Sequence, residues 1–242
     1  MAAERRLLGP NVAVLFGASQ GKYPDGNTVI VCGRDGTLVI DPALSVRDEP
    51  ETIVVDRVLL THPHEDHVAG LSAVRHAVVQ VHRDDLGGLT SLDGLMRLYG
   101  IPESGWPAMT TMVQERFHVE ARPDAVPFDH GDEWDLGGVV VRAIAAPGHT
   151  AGHQSLWVRT PAQPTFLLCD AAYLIAPMRG RRLPGVLWSG DAMLDSWDRI
   201  EAIERCARRV ARRDLALAYQ LSQFGCGKSP DVLHDRSVAK PQ

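Results

Sequence analysis

The chain reads as an α/β protein. Short β-branched and apolar runs alternate with stretches of helical spacing, and the alternation is repeated in two similar halves. In each half a strand-like run ends directly in a loop that carries histidines. A chain of 242 residues is long enough for one large domain or two small ones.

In order, Asn11 to Phe16 is the first expected strand, and Gly17 to Asn27 is a loop with Tyr23-Pro24-Asp25-Gly26 as its turn. Thr28 to Cys32 and Thr37 to Ile40 are β-branched runs, joined as a hairpin by Gly33-Arg34-Asp35-Gly36. Val58, Leu59 and Leu60 end a buried strand. Asp66 is placed to cap the helix suggested by Ala69, Leu71 and Val74. Ala77 to Val81 is the next strand. The Leu-, Met- and Gly-rich stretch from about 86 to 119 has helical spacing at Leu92, Leu95, Met96 and Tyr99. It admits two readings: a helical hairpin packed on the core, or an apolar lid in which Trp106, Met109 and Met112 wall a substrate pocket.

Phe128 to Gly138 reads as a hairpin with a polar loop in which His130 is a turn residue. Strands are expected at Val139 to Ala145, Ser155 to Val158 and Thr165 to Cys169, with Asp170 ending the last of these. Ala192 to Arg213 is the clearest helix, with Met193, Trp197, Ile200, Ile203, Ala207 and Val210 in one apolar stripe. Leu215 to Tyr219 is the final strand. Residues 1–228 are expected to form one domain, followed by a tail over 229–242.

Two loops carry chemistry. The first is Thr61-His62-Pro63-His64-Glu65-Asp66-His67, three histidines and two carboxylates within six consecutive residues after an apolar strand. Imidazole nitrogen and carboxylate oxygen are the ligands that divalent metals take. A helix cannot aim four such groups at one point, whereas a strand-to-helix loop can, and alternation puts the rings of His62 and His64 on one side. The second is Ala146-Pro147-Gly148-His149-Thr150-Ala151-Gly152-His153. By itself a histidine after Pro-Gly is more often a loop residue.

The H-x-H-x-D-H element, followed by P-G-H-T-x-G-H, resembles the metallo-β-lactamase superfamily. The resemblance covers most of the chain and is strongest at 28–42, 57–71 and 143–175. It implies an αβ/βα sandwich of two mixed β-sheets flanked by helices, with metals at one edge. It implies that His62, His64 and His149 hold a first zinc, that Asp66 and His67 hold a second, and that Asp170 bridges them. Asp41 would orient a histidine ligand from behind, and His153 would hold its loop. Asp170-Ala171-Ala172-Tyr173 resembles the D-A-S-Y segment of N-acyl-homoserine-lactone lactonases, in which the tyrosine helps stabilise oxygen charge in the substrate.

The reaction so implied is hydrolysis of a lactone, ester or thioester: a zinc-held hydroxide attacks the carbonyl, Tyr173 steadies the oxyanion, and Asp66 relays a proton to the leaving group. The chain departs from the family where a short last strand should end in Gly-His; Gln220 stands there. A neutral amide oxygen is a poor zinc ligand beside imidazole. The expectation is therefore one tight metal and a second weak or absent, with iron or manganese as other candidates. Two further readings stay open: a relative that has lost turnover and serves in binding or scaffolding, and a di-iron redox protein.

Composition narrows the partners. A net charge of −5 offers no electrostatic footing for nucleic acid or an anionic membrane. The run of Arg205, Arg208, Arg209, Arg212 and Arg213 reads as a solvated helix face near a negative helix end. Hydrophobic content of 45% with no apolar run of about 18 residues argues against a spanning helix. Four dispersed cysteines and no apolar leader point to a reducing cytoplasm. The expected partner is a small acyl substrate, and a homodimer is left open.

Overall fold

The computed structural model describes residues 4–48, 54–162, 165–167, 178, 180–185, 187–210 and 216–218. Its strands form two sheets. The first has seven strands, β1 (Glu4–Leu7), β2 (Val12–Phe16), β3 (Asn27–Cys32), β4 (Thr37–Ile40), β5 (Arg57–Leu59), β6 (Val78–His82) and β7 (Val126–Phe128), which neighbour one another in chain order. The first four pair antiparallel, and β4 through β7 pair parallel. The second sheet has β8 (Glu133–Asp135), β9 (Val140–Ala145), β10 (Gln154–Arg159), β11 (Thr165–Leu167) and β12 (Ala216–Ala218), in the order β12-β11-β10-β9-β8.

Side-chain alternation explains how the sheets stack. Along a strand, successive side chains point to opposite faces. In β2, Val12 and Val14 enter one core cluster while Ala13 and Leu15 enter another. Val29 and Val31 part from Ile30 in the same way, as do Leu38 and Ile40 from Val39. The cluster holding Val31, Leu38, Ile40 and Leu59 also holds Val141, Ala143, Leu156 and Val158 of the second sheet, so it is the layer between the sheets. The other joins the outer face of the first sheet to helices, and both faces being covered accounts for strands that read as unbroken apolar runs. A third cluster of Ala146, Met193, Trp197 and Ile200 seats the long helix Gly190–Val210 against Ile144 and Trp157 of the second sheet. The order helix, sheet, sheet, helix is the expected αβ/βα sandwich.

Helices α1 (Ala18–Gly21), α2 (Leu44–Asp48), α3 (Glu65–Val68), α4 (Leu86–Thr90), α5 (Leu92–Leu98) and α6 (Trp106–Phe117) precede the long helix, here α7. The stretch over 86–119 is thus three helices, of which Leu89, Leu95, Met96, Val113 and Phe117 are buried in the outer core cluster. Phe117 is fully buried, and its ring lies 5.7 Å from that of Tyr23.

Three local expectations are corrected. Asp66 does not cap α3; the cap position is His64, in extended conformation, and Asp66 sits in the first turn, where its carboxylate suits the positive end of the helix. The segment Phe128–Gly138 is not a hairpin, because β7 pairs with β6 of the first sheet and β8 with β9 of the second. Its turn carries the chain from one layer to the other. The exposed edge strand β1 was not foreseen, since Glu-Arg-Arg-Leu has no apolar alternation and all four residues are exposed. No helix among the described residues is long and apolar enough to cross a membrane.

Phe117→Ala should destabilise the fold by about 3–5 kcal/mol through loss of buried contacts and a residual cavity. Urea denaturation checks this; a loss below about 1 kcal/mol would show that α6 is not part of the cooperative core.

Candidate metal centre

Asp41 directly follows β4, and Thr61 and His62 follow β5 after one intervening residue. These strands are parallel neighbours with Ile40 opposite Leu59, so both loops emerge side by side at one sheet edge. The Asp41 backbone N–H donates to the Leu59 carbonyl at 3.1 Å. Asp41 has φ +50, a left-handed conformation that Asp tolerates better than most residues. Its fully buried carboxylate accepts the Thr61 N–H at 2.8 Å on Oδ1 and the Thr61 hydroxyl at 2.6 Å on Oδ2. Oδ2 also lies 3.0 Å from Nδ1 of His67.

These bonds settle which imidazole nitrogens carry hydrogen. The Thr61 hydroxyl hydrogen is committed to Asp41, so its oxygen accepts from His62 Nδ1, 3.1 Å away. Nε2 of His62 is then the lone-pair nitrogen. By the same logic His67 donates through Nδ1 to Asp41 and keeps its lone pair on Nε2, which lies 3.7 Å from Asp66 Oδ2. His62 is held well below the usual histidine pKa, first by burial and then by the neighbouring imidazoles of His67, His64, His149 and His153. Neutral imidazole is the form that binds metal.

The third side of the site comes from the other sheet. The Gln154 N–H at the start of β10 donates to the Thr61 carbonyl at 3.0 Å, and the Ala146 N–H donates to the His153 carbonyl at 2.9 Å, closing the 146–153 loop beside β5. Gly148 has φ +141, and a Cβ there would lie 2.5 Å from Met193 Cα, so only glycine lets the loop cross the start of α7 this closely. The Ser196 hydroxyl donates to the Pro147 carbonyl at 2.7 Å. On the far side Asp85 accepts the Thr150 hydroxyl and, at 2.9 Å, the Gly152 N–H.

His62, His64 and His149, all buried, each offer a nitrogen within 4.8 Å of the other two. Nδ1 of His64 and Nε2 of His149 are 2.8 Å apart. Ligand nitrogens on a tetrahedral zinc stand ~3.3 Å apart, inside the span this cluster covers. The donor set and spacing therefore fit a metal ion. Asp66 and His67 form an adjoining pair of donors with a separation close to the same value. Glu65, the remaining residue of the motif, accepts the Tyr23 hydroxyl at 2.9 Å and ties α3 to the 17–27 loop. Burial raises the pKa of both groups.

The structure thus brings together His62, His64, Asp66, His67 and His149, with Asp41 behind them. Asp170, Tyr173 and Gln220, together with Cys169, lie outside the described residues. Trp106, Met109 and Met112 are half-buried on α6 against the outer core cluster, while His130 is an exposed turn residue that accepts the Ala145 N–H. The sequence reading missed Thr61, Asp85 and Tyr99. Thr61 stands inside the first motif, but only the paired strand ends reveal its partner. Asp85 precedes a short helix and resembles any turn acid. Tyr99 lies flat on the ring of His64, centroids 4.5 Å apart and planes 8° apart, a contact 35 positions distant in the chain.

A two-sheet sandwich with buried imidazoles gathered at adjoining strand ends defines an α/β protein with a candidate metal site. More particularly, the chain belongs to the metallo-beta-lactamase superfamily, whose family model matches residues 23–182. It is similar to a metallo-beta-lactamase fold-containing protein of Sulfurisphaera tokodaii, 32% identical over 146 residues that cover 57% of this chain and 55% of that one. It is also similar to a hydroxyacylglutathione hydrolase of Pseudomonas putida, 32% identical over 132 residues, 54% of this chain and 38% of that one. The matched stretches therefore span about half or less of these curated relatives. Among solved structures, a quorum-quenching N-acyl homoserine lactone hydrolase superposes with a TM-score of 0.57 at 13% identity, covering 90% of this chain and 92% of that chain. Such a likeness speaks to the fold alone.

Two outcomes follow. Asp41→Ala should weaken metal binding about 10- to 100-fold by releasing His67 and Thr61, measured by chelator competition; unchanged affinity would separate Asp41 from the site. Burial raises Asp85 to about pKa 6, opposed by its bonds from Thr150 and Gly152. A carboxyl raised on folding stabilises the fold while protonated in both states and loses that contribution as pH rises through the folded value. From about pH 4 to about pH 7 the stability of the parent should therefore fall relative to Asp85→Asn by on the order of 2–3 kcal/mol. Urea titrations of both proteins across that window read the difference, and a flat difference would refute it.

Proposed function

We propose that the protein is a metal-dependent hydrolase of an activated acyl bond: a lactone, ester or thioester. The observation that carries this reading is the buried triad of His62, His64 and His149, whose nitrogens lie within 4.8 Å of one another. These three would hold the tighter metal, zinc by donor type, with iron or manganese as alternatives. When bound, such an ion supplies a nucleophilic water near neutral pH and polarises the substrate carbonyl.

The chain's own residues do the rest. Thr61 and Asp41 keep the lone pairs of His62 and His67 directed into the site. Asp66 would take the proton that the attacking water gives up and pass it to the departing oxygen or sulfur. Oxygen and sulfur leave more readily than an amide nitrogen, which favours esters, lactones and thioesters over amides. By the resemblance of D-A-A-Y, Asp170 would be a further carboxylate available to metal and Tyr173 would donate to a substrate oxygen. Trp106, Met109 and Met112 supply half-buried apolar surface of the kind an acyl chain needs. With Gln220 in place of a final histidine, the second ion, at Asp66 and His67, is held weakly or not at all. The name of one relative, a hydroxyacylglutathione hydrolase, supports the acyl class.

A panel of lactones and thioesters, assayed with metal-loaded protein, tests the reading. His64→Ala and His149→Ala should each lower turnover by about 100-fold or more and lower metal content in parallel. Parental activity in either variant would falsify the mechanism. Metal analysis should find one tightly held ion per chain; two retained equally well would overturn the role given to Gln220.

A further inference from the structure

Tyr99 follows α5 as its C-terminal cap, with its N–H bonded to the Leu95 carbonyl at 3.1 Å. Leu95 and Met96 of that helix are buried in the core, so the phenol is placed by packed structure and not by a loose loop. Its ring stacks in parallel on His64. Its hydroxyl oxygen is buried and has no hydrogen-bond partner among the described residues. A buried hydroxyl left without a partner costs about 1–3 kcal/mol, and buried tyrosines ordinarily find one. Trp106, packed against the same core cluster, does so: its indole N–H donates to the Ile101 carbonyl at 2.8 Å. Phenylalanine would fill the same space at Tyr99 and give the same stack without that cost. An unmet donor beside a metal-binding imidazole is what a ligand-contacting residue looks like before its ligand arrives.

We infer that Tyr99 is a substrate-positioning residue: its phenol O–H donates a hydrogen bond to an oxygen of the acyl ligand seated at the His62–His64–His149 cluster, while its ring fixes the plane of His64. The oxygen belongs to the substrate's acyl group or to the carboxylate left after hydrolysis. This assignment rests on the hydrolase reading for the ligand class, but not for the contact itself. The role differs from that of Tyr173, which lies 74 positions further on.

The test compares the parent, Tyr99→Phe and Tyr99→Leu, each loaded with cobalt(II) and titrated with hexanoate as the carboxylate probe, followed by the visible cobalt bands. Tyr99→Phe should bind cobalt within about 2-fold of the parent, melt at the same or a higher temperature without metal, and bind hexanoate about 10-fold more weakly. Tyr99→Leu should also lose cobalt affinity, because the stack on His64 is gone. Equal hexanoate binding by parent and Tyr99→Phe, including binding by neither, overturns the inference. So does a lowered melting temperature in Tyr99→Phe, which would mean that the hydroxyl already has a structural partner. If no lactone or thioester turns over while the hexanoate difference persists, the hydrolase reading fails and the Tyr99 contact stands.

Discussion

One buried carboxylate organises this protein. Asp41 takes three hydrogen bonds at once, from the Thr61 amide, the Thr61 hydroxyl and the His67 ring. A charge-bearing group with no exposure is tolerated only when its lone pairs are occupied. Meeting that requirement fixes the chain direction after β5, orients His67, and makes the Thr61 oxygen an acceptor for His62. Two candidate ligand positions, His62 and His67, are thereby set by one acid in a left-handed backbone conformation.

The sandwich exists, in functional terms, to bring a second loop to that point. Parallel pairing of β4 and β5 puts Asp41 beside Thr61, and the bond from Gln154 to the Thr61 carbonyl joins the sheets at the same residue. His149 is then held from two sides, by Asp85 through Thr150 and Gly152 and by α7 through Ser196 and the close passage of Gly148. These bonds end on backbone and small side chains around the ligand, so the histidine ring itself remains committed to the cluster. The three helices of 86–119 serve the same centre from outside. They close the outer core with Leu95, Met96 and Phe117, and they bring Tyr99 over His64.

Several elements were legible without coordinates because their signals are local. The β-branched runs at Thr28–Cys32 and Thr37–Ile40, the apolar stripe of α7 over Met193, Trp197, Ile200 and Ile203, and the two histidine loops after strands all appear where periodicity and spacing put them. Other features follow from neighbours distant in the chain. The turn after β7 looks like a hairpin because hairpin turns and layer-crossing turns share polar residues and glycine. The cap at α3 went to His64 and not Asp66 because His64 enters the helix from an extended conformation, within a motif that gathers around a common point. β1 carries no apolar alternation; it is held by backbone pairing to β2 and by the Arg6 guanidinium over the Phe16 ring.

The amino-acid sequence by itself determined the α/β class, the family resemblance, and the identity of His62, His64, Asp66, His67 and His149 as ligand candidates, since these rest on residue types at fixed short spacing. Tertiary structure alone decided that Thr61 relays between Asp41 and His62, that Asp85 clamps the second loop, and that Tyr99 covers His64. Each of these joins residues on different elements, and hydrogen bonds and ring stacking depend on distances of a few ångström that no spacing along the chain encodes.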